Sequence, residues 1–248
     1  MIWDECQGAQ QIGALAGTLY RLVESQEQIA TMGYVDTLEE QALLELMLEG
    51  SKPLYTKDLT AYHYLLSTPF RYPPLKWGSR FGSANEPSLF YGGKTINVTL
   101  AESAYYRFVF WHSMSGAPIK PQIKSEHSLF SVGYQSSKGV SLQKAPFKQY
   151  QAEISHPGQY NQSQQLGAAM KASGVEAFEY TSARDPHKEP CVGLFTARAF
   201  KSKKPNGMNQ CLCETSAKEV RFKQLHSNTI TSFKLDIFLL NEQLPMPA

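Results

Sequence analysis

The stretch between Arg71 and Arg107 concentrates positive charge in a chain that is otherwise nearly neutral. It contains five basic residues and two acidic ones, whereas the whole chain has a formal net charge of +2. The guanidinium group of arginine donates two parallel hydrogen bonds to phosphate oxygens, and glycines in the same stretch let a ligand approach the backbone closely. These residue types predict a site for a diphosphate. The charged residues are Arg71, Lys76, Arg80, Lys94, Arg107, Glu86 and Glu102.

One carboxylate beside such an anion site suggests a reaction in which positive charge develops on the substrate. Cleavage of an N-glycosidic bond to a cationic leaving group passes through an oxocarbenium-like state, which Glu102 could stabilise. A charge pair at about 4 Å with an effective dielectric constant of about 20 contributes at most about 4 kcal/mol, or about a thousandfold in rate. Tyr72 or Tyr91 could stack on a base or a ribose. The alternative is that each charged residue is a solvated surface group.

The N-terminal residues are predicted to form a helical unit that precedes this region. Apolar residues recur at three- and four-residue intervals over about 8–50, which is typical of an amphipathic helix. Asp36 as N-cap, with Glu39 three positions later, resembles a capping box. We therefore divide the chain into a helical unit at 1–55 and a second domain at 56–248. The alternative is that these helices only complete the core. The first apolar residues of the pattern are Ile12, Leu15, Leu19 and Leu22.

Beyond about residue 52 the pattern changes to short strands, turns and a few helices. Prolines, Pro69 among them, argue against a regular helix around Arg71, and the sequence SLFYGG predicts a strand that ends at a glycine pair. The next sequence, TLAESAYYRFVFWHS, has helical spacing, so Glu102 is expected in the first turn of a helix packed on the sheet. The predicted fold class is α+β: a helical N-terminal extension, and then a mixed β-sheet core with flanking helices.

Composition limits the classes of partner. With 248 residues and 42% hydrophobic content the chain can bury a sizeable core, and its small net charge does not favour nucleic acid or a membrane surface as the main partner. No apolar stretch is long enough to span a bilayer and the N-terminal sequence lacks signal-peptide features, so we expect a cytoplasmic protein without a membrane partner. The basic run from Arg198 to Lys204 is interpreted as a solvated loop, with nucleic-acid contact as the alternative.

Histidines and cysteines do not form the patterns of a metal site. The six histidines are scattered singly, and among the four cysteines only Cys211 and Cys213 are close in sequence. A C-x-C pair without a nearby histidine pair is poor zinc-ligand geometry. We therefore expect no metal and reduced, mostly structural cysteines.

Five short motifs occur in the order found in a known family. They are TPFRYPP, GSRFG, LFYGG, LAESAYYR, and GVEAFEYTSARDP followed by CVGLF. Over about residues 60–200 they resemble the RES-domain family, bacterial toxins named for a shared arginine, glutamate and serine. The resemblance implies an ADP-ribosyltransferase-like fold and an activity that degrades NAD⁺ by hydrolysis or phosphorolysis, or transfers ADP-ribose to a protein. It also implies a helix-turn-helix antitoxin of the Xre type, which occludes the NAD⁺ site.

The resemblance also assigns site residues, position by position. Arg80 matches the second family arginine, Tyr91 the tyrosine of the following strand, and Glu102 the glutamate, at successive spacings of eleven positions. Ser182 matches the serine, whose hydroxyl could bond a nicotinamide amide or a phosphate oxygen. Arg184 and Asp185 follow it and are expected to pair or to border the pocket.

Two arginines compete for the first family position. Arg71, followed by Tyr72, matches the arginine–tyrosine pair of the family, and Arg21 in TLYRLVES is the competitor. We prefer Arg71, because Arg21 falls in the helical pattern outside the predicted sheet domain. The predicted catalytic residues are therefore Arg71, Arg80 and Glu102, and the predicted substrate-binding residues are Tyr72, Tyr91 and Ser182.

The function implied by the residues and by the resemblance is a toxin that binds NAD⁺ and cleaves its nicotinamide–ribose bond. NAD⁺ is then a substrate rather than a cofactor, phosphate is a candidate co-substrate, and no other cofactor is expected. The alternatives are a protein ADP-ribosyltransferase that uses the same pocket and a binding module without catalytic activity. The acceptor, whether water, phosphate or a protein, and a homo-oligomeric state stay open at this stage.

Overall fold

The structure, a computed structural model, describes residues 1–25, 34–116 and 118–247. Within these ranges a mixed sheet of eight strands is flanked by helices, which confirms the predicted α+β class. The strands are β1 (Gly13–Glu24), β2 (Phe90–Gly93), β3 (Ile123–Ser141), β4 (Ala177–Thr181), β5 (Pro190–Leu194), β6 (Gly207–Thr215), β7 (Glu219–Gln224) and β8 (Ile230–Lys234). The α-helices are α1 (Ile2–Glu5), α2 (Leu38–Ser51), α3 (Tyr64–Arg71), α4 (Ile96–His112), α5 (Gln151–Ile154) and α6 (Asn161–Ala172).

The first five strands of the sheet close on themselves. Hydrogen-bonded neighbours follow the order β1-β2-β5-β4-β3-β6-β7-β8, and β1 also pairs with β3. Only the pairing of β3 with β4 is parallel among the strands described. The 19-residue β3 can serve three partners because it pairs with β6 along its first half, with β1 along most of its length, and with β4 at its end. The closed set of β1, β2, β5, β4 and β3 is called the strand ring below.

The residues of β1 form a strand, so the helix predicted over them is wrong. Leu15, Leu19 and Val23 are four residues apart, and this even spacing also places them on one face of a strand. Leu19 is fully buried, and Leu15 and Val23 pack against the same apolar cluster. Gly17 lies between them, where a Cβ atom would approach the Tyr134 hydroxyl to 2.8 Å. The pattern that favoured a helix therefore belongs to a strand with one buried face.

The second part of the predicted helical unit is confirmed as α2. Its N-cap is Thr37 rather than Asp36: the Thr37 hydroxyl accepts the N–H of Glu40 at 3.1 Å. The Glu40 carboxylate in turn accepts the N–H of Asp36 at 2.9 Å, so a reciprocal cap exists one position later than predicted. Residues 26–33 of the predicted helix lie outside the described residues. The predicted domain boundary stays a prediction, although β1 is hydrogen-bonded into the sheet.

Two helices near the site differ from their predicted limits. α3 runs through Pro69 to Arg71, where prolines had argued against a helix. A proline removes only one hydrogen bond from this short helix, whose Leu66 is fully buried in the core. α4 begins directly after its N-cap Thr95, so Glu102 lies in the second turn of that helix rather than in the first. The glutamate is therefore carried by a formed helix and not by its frayed end.

The surface and the cysteines agree with several sequence predictions. The basic residues Arg198, Lys201, Lys203 and Lys204 are exposed, as expected of a solvated loop. All four cysteines are buried free thiols. In the described ranges, no helix combines the length and the apolar character needed to cross a membrane.

Candidate active site

A cavity of about 250 Å³ opens where β1, β2 and α4 meet. Strands β4 and β5 of the strand ring also reach it, together with the connections that carry Arg80 and Arg184. The cavity brings together three predicted site residues, Arg80, Tyr91 and Glu102. Its polar and aromatic lining residues are Tyr20, Arg21, Ser79, Arg80, Tyr91, Thr99, Glu102, Ser103, Tyr106, Tyr160, Tyr180, Arg184 and Cys191.

The carboxylate of Glu102 is oriented by Ser182, which does not itself line the cavity. The Ser182 hydroxyl donates to Oε1 of Glu102 at 2.5 Å, and the Cys191 thiol donates to the same oxygen at 3.8 Å. Burial raises the pKa of the Cys191 thiol well above its ordinary value, so the thiol stays a neutral donor. Within the described ranges, no lysine or arginine forms an ion pair with Glu102. The carboxylate therefore remains available to a ligand.

Arg80 presents a buried guanidinium to the same cavity. Its Nη1 donates to the carbonyl of His156 at 2.7 Å, and its Cζ lies 4.6 Å from the centre of the Tyr160 ring. Burial opposes the charge of this group, but Tyr160 and Glu102 outweigh it and raise the pKa of Arg80 above its ordinary value. The bond to His156 is the one protein hydrogen bond of this guanidinium in the described part of the chain. Its other N–H groups can donate to an anion.

Tyr91 positions Arg80 through hydrogen bonds to the residues on either side of it in the sequence. The Tyr91 hydroxyl accepts the N–H of Phe81 at 3.1 Å and lies 2.9 Å from the Ser79 hydroxyl. Burial raises the pKa of Tyr91 to about 12, so the phenol is neutral at physiological pH. Because Ser79 and Phe81 flank Arg80 in sequence, one phenol group fixes the turn that carries the arginine. The sequence had assigned Tyr91 to substrate binding, and its side-chain contacts in the structure are those of a positioning residue.

Arg21, which the sequence prediction rejected as a site residue, lines the cavity that contains Glu102. It lies on β1, where its Nη1 donates to the carbonyl of Tyr91 at 2.9 Å and its Cζ lies 4.6 Å from the centre of the Phe90 ring. Burial lowers the pKa of Arg21 to about 10, which leaves it charged at neutral pH. The argument against Arg21 assumed a helix outside the sheet domain. Once residues 13–24 are a strand, the pairing of Tyr20 with Gly93 places Arg21 beside β2.

Arg71 and Tyr72, which the prediction preferred, do not line the cavity that contains Glu102. Arg71 ends α3, where its Nη2 donates to Glu49 at 2.8 Å and its guanidinium stacks 4.0 Å from the centre of the Tyr55 ring. Both residues line a second cavity of about 390 Å³, which Arg21 also lines. Arg21, rather than Arg71, therefore lines the cavity that contains Arg80 and Glu102.

A missing side chain lets α4 approach the sheet. A Cβ atom on Gly93 would lie 2.5 Å from both the Thr99 hydroxyl oxygen and Val98 Cγ1. These residues belong to the first turn of α4, one turn before Glu102. Glycine at this position therefore sets the distance between Glu102 and the strands that carry Tyr91 and Arg21.

The profile of the RES domain family matches residues 56–225, which is more than half of the chain. The chain belongs to the RES domain family. The match includes the sequence segments that carry Arg80, Tyr91, Glu102 and Ser182. Arg21 lies before the matched segment, so in this RES protein one arginine of the cavity comes from outside the region in which the family is recognised.

A comparison with solved structures gives a partial structural match. The M. tuberculosis MbcT-MbcA toxin-antitoxin complex contains a chain that is 7% identical to this RES protein, with a TM-score of 0.48. The similarity covers 94% of this chain and 91% of that chain. Among curated proteins, none matches the sequence.

One further arginine, Arg184, also lines the RES cavity. Its Cζ lies 3.4 Å from the centre of the Tyr105 ring, and its Nη2 donates to the carbonyl of Pro157 at 2.5 Å. The sequence had given Arg184 two roles, and the structure supports that of bordering the pocket. These two contacts hold the guanidinium in the cavity wall, because one of its faces packs on Tyr105 and its Nη2 is bonded to Pro157.

Proposed function

We propose that this RES-domain protein is a toxin that binds NAD⁺ and cleaves the bond between nicotinamide and ribose, which depletes cellular NAD⁺. The observation that carries the proposal is the Glu102 carboxylate, which Ser182 orients and with which no described lysine or arginine forms an ion pair, in the same cavity as the cations Arg21 and Arg80. The family resemblance supports NAD⁺ as the substrate. The anionic pyrophosphate of NAD⁺ accounts for the two arginines, and the ribose that becomes cationic accounts for the carboxylate in the same cavity.

The two arginines bind the pyrophosphate in this proposal. Arg21 and Arg80 are both charged at neutral pH and lie in the wall of one cavity. Guanidinium groups bind phosphate oxygens through charge-assisted hydrogen bonds, each stabilising by roughly 1.5–3 kcal/mol. Tyr91 and Tyr160 contribute indirectly, because they hold Arg80 in position.

Glu102 faces the anomeric carbon and stabilises the ribose as it becomes cationic. The bond from C1′ to the pyridinium nitrogen breaks, its electron pair moves to the nitrogen, and nicotinamide leaves as a neutral molecule. Water or phosphate then forms a bond to C1′, and water also loses a proton. A negative charge near the oxocarbenium state lowers the barrier, because the interaction is stronger in the transition state than in the bound substrate. Ser182 acts through Glu102 as a positioning residue.

Consumption of NAD⁺ by the purified protein tests the proposal. We expect Glu102→Gln to lower kcat by roughly 100- to 1,000-fold and Arg80→Ala to raise the KM for NAD⁺ by about 10-fold or more. Matched controls are Glu39→Gln and Arg198→Ala, since both residues are exposed and lie outside the cavity. Turnover that is unchanged in Glu102→Gln and in Arg80→Ala would end the assignment.

The acceptor is identified by following labelled NAD⁺. Free ADP-ribose supports hydrolysis, and ADP-ribose 1-phosphate formed only in the presence of phosphate supports phosphorolysis. Label fixed on one protein band in a lysate would favour the protein ADP-ribosyltransferase instead. Neither binding nor consumption of NAD⁺ would favour a module that has lost catalysis.

We also propose, from the family resemblance, that a helix-turn-helix antitoxin of the Xre type neutralises this toxin in the cytoplasm by covering the cavity. A small helix-turn-helix protein encoded beside this chain is the partner to test. It is expected to co-purify with this chain and to stop NAD⁺ consumption at equimolar ratio. Full activity in the presence of an equimolar, stably bound partner would contradict occlusion.

A further inference from the structure

The second cavity lies next to the proposed active site, and one arginine lines both. This cavity of about 390 Å³ is formed by the end of β1, the end of α2 and the helix α3. It is called the α3 cavity below, and its characteristic residues are Arg21, Lys52, Tyr55, Tyr64, Arg71 and Tyr72. Because Arg21 lines this cavity and the first one, the two cavities adjoin at this residue.

The charges of the α3 cavity favour an anion. Arg21, Lys52 and Arg71 supply three positive charges, and Glu24 and Glu49 supply two negative ones. The charge of Glu24 is already neutralised by Arg107, which lies outside this cavity. The Arg107 Nη1 donates to the Glu24 carboxylate at 2.9 Å. Lys52 and Arg71 share the single carboxylate of Glu49, each at 2.8 Å. Among the described residues that line this cavity, the positive charges of Arg21, Lys52 and Arg71 therefore exceed the one remaining negative charge, that of Glu49.

The aromatic residues of the α3 cavity offer flat faces to a ligand. Tyr64 is 46% exposed and Tyr72 is 38% exposed, so both can contact a ligand without being released from a core. Tyr55 is already covered by the Arg71 guanidinium, which the Glu49 carboxylate and the Pro53 carbonyl hold in place. Stacking of a nucleobase on an aromatic side chain contributes roughly 1–3 kcal/mol per base.

We propose that the α3 cavity binds the adenosine-phosphate half of the dinucleotide, with the purine on Tyr64 and Tyr72 and the pyrophosphate beside Arg21. This inference rests on the proposed function, because it takes the first cavity as the site of the nicotinamide ribose. It assigns Arg71 and Tyr72 a role in binding the half of the substrate that does not react. Most of the cavity is supplied by the segment between β1 and Arg80, so its residues determine the preference for dinucleotides over mononucleotides.

The test separates the two halves of the substrate. AMP and nicotinamide mononucleotide are titrated calorimetrically into the Glu102→Gln protein, which prevents consumption during the measurement. The double variant Tyr64→Ala/Tyr72→Ala is expected to raise the Kd for AMP by roughly 5- to 100-fold and to leave the Kd for nicotinamide mononucleotide unchanged. Tyr34→Ala is the matched control, since Tyr34 is 85% exposed and lies outside the cavity. Thermal melting confirms that both variants fold.

The outcomes distinguish this inference from the proposed function. An unchanged Kd for AMP in the double variant, or equal losses for AMP and nicotinamide mononucleotide, overturns the α3 cavity as the adenosine site even when NAD⁺ is consumed. A loss of affinity for AMP alone in the double variant supports the adenosine site, even when the protein with Glu102 intact fails to consume NAD⁺. In that second case the catalytic proposal fails and the nucleotide site stands.

Discussion

The hydroxyl group of Ser182 uses all of its hydrogen-bonding capacity. It accepts the N–H groups of Arg184 and Asp185 at 3.1 and 2.9 Å and donates its proton to Glu102. Because both accepting directions are occupied, the proton is left to point at the carboxylate. A carboxylate held in this way needs little rearrangement when positive charge develops opposite it, and such preorganisation is a large part of electrostatic catalysis.

The substitution Ser182→Ala tests this role. We expect kcat for NAD⁺ cleavage to fall by roughly 10- to 100-fold, equivalent to one lost hydrogen bond to a charged group, while KM changes little. Ser182→Thr keeps a hydroxyl at the same place and is expected to restore part of kcat. A residue with a merely structural role would lower the free energy of unfolding in both variants without this difference in kcat. Equal kcat in the Ala and Thr variants contradicts the positioning role.

Arg21 and Arg71 give a second prediction at this scale, because their substitutions are expected to change different kinetic constants for NAD⁺. Arg21 borders both cavities, so Arg21→Ala is expected to lower kcat/KM by about 100-fold through loss of a charged hydrogen bond to the pyrophosphate. Arg71→Ala is expected to raise KM alone, since Arg71 lies away from Glu102. Steady-state kinetics with NAD⁺ measure both. A large fall in kcat for Arg71→Ala, with normal kcat/KM for Arg21→Ala, would restore the preference made from the sequence.

At the scale of elements, the approach of α4 to β2 depends on Gly93. A methyl group there overlaps Thr99 and Val98, both buried in α4. We expect Gly93→Ala to lower the free energy of unfolding by about 1–3 kcal/mol through overpacking and to reduce NAD⁺ cleavage, because α4 carries Glu102. Gly13→Ala on β1 is the matched control, since nothing lies within 4 Å of its added Cβ. Urea unfolding and kcat are the measurements, and equal stability of the two variants contradicts the prediction.

The elements also show how far the sequence could predict this site. Arg80, Tyr91 and Glu102 lie in short motifs that follow one another in the sequence. The strand that carries Tyr91 and the helix that carries Glu102 were both predicted. Arg21 was missed because residues four positions apart share a face in a helix and in a strand alike. Two signals in β1 were available: Gly17 disfavours a helix interior, and Val23 favours a strand. The pairing of β1 with β3, more than 100 residues away, has no local signature.

On the scale of the whole molecule, β3 lies between β1 and β6 and carries a buried histidine. His127 is 5% exposed, and burial together with the nearby charge of Arg107 lowers its pKa to about 4. The unfolded chain therefore binds a proton that the folded chain does not between about pH 6.5 and pH 4. The stability associated with neutral His127 is present above pH 6.5 and is lost as the pH falls.

This linkage predicts acid sensitivity of the fold. Between pH 7.5 and pH 4 the free energy of unfolding is expected to fall by up to about 3 kcal/mol from His127 alone. The variant His127→Asn removes the titrating group and is expected to flatten this part of the pH dependence, although its stability at pH 7.5 is lower. Urea unfolding at several pH values measures both proteins. Parallel pH profiles for the two proteins contradict the assignment to His127.

The strand ring has a practical consequence for anyone who shortens this chain. A fragment limited to the recognisable family segment, 56–225, would lack β1 and leave one side of β3 without its partner from His127 to Gly139. Unpaired strand edges of this length invite intermolecular pairing, so such a fragment should be recovered as insoluble aggregate. It would also lack Arg21. A failure to detect NAD⁺ cleavage with that fragment would therefore report on how it was cut, not on the chemistry of the intact protein.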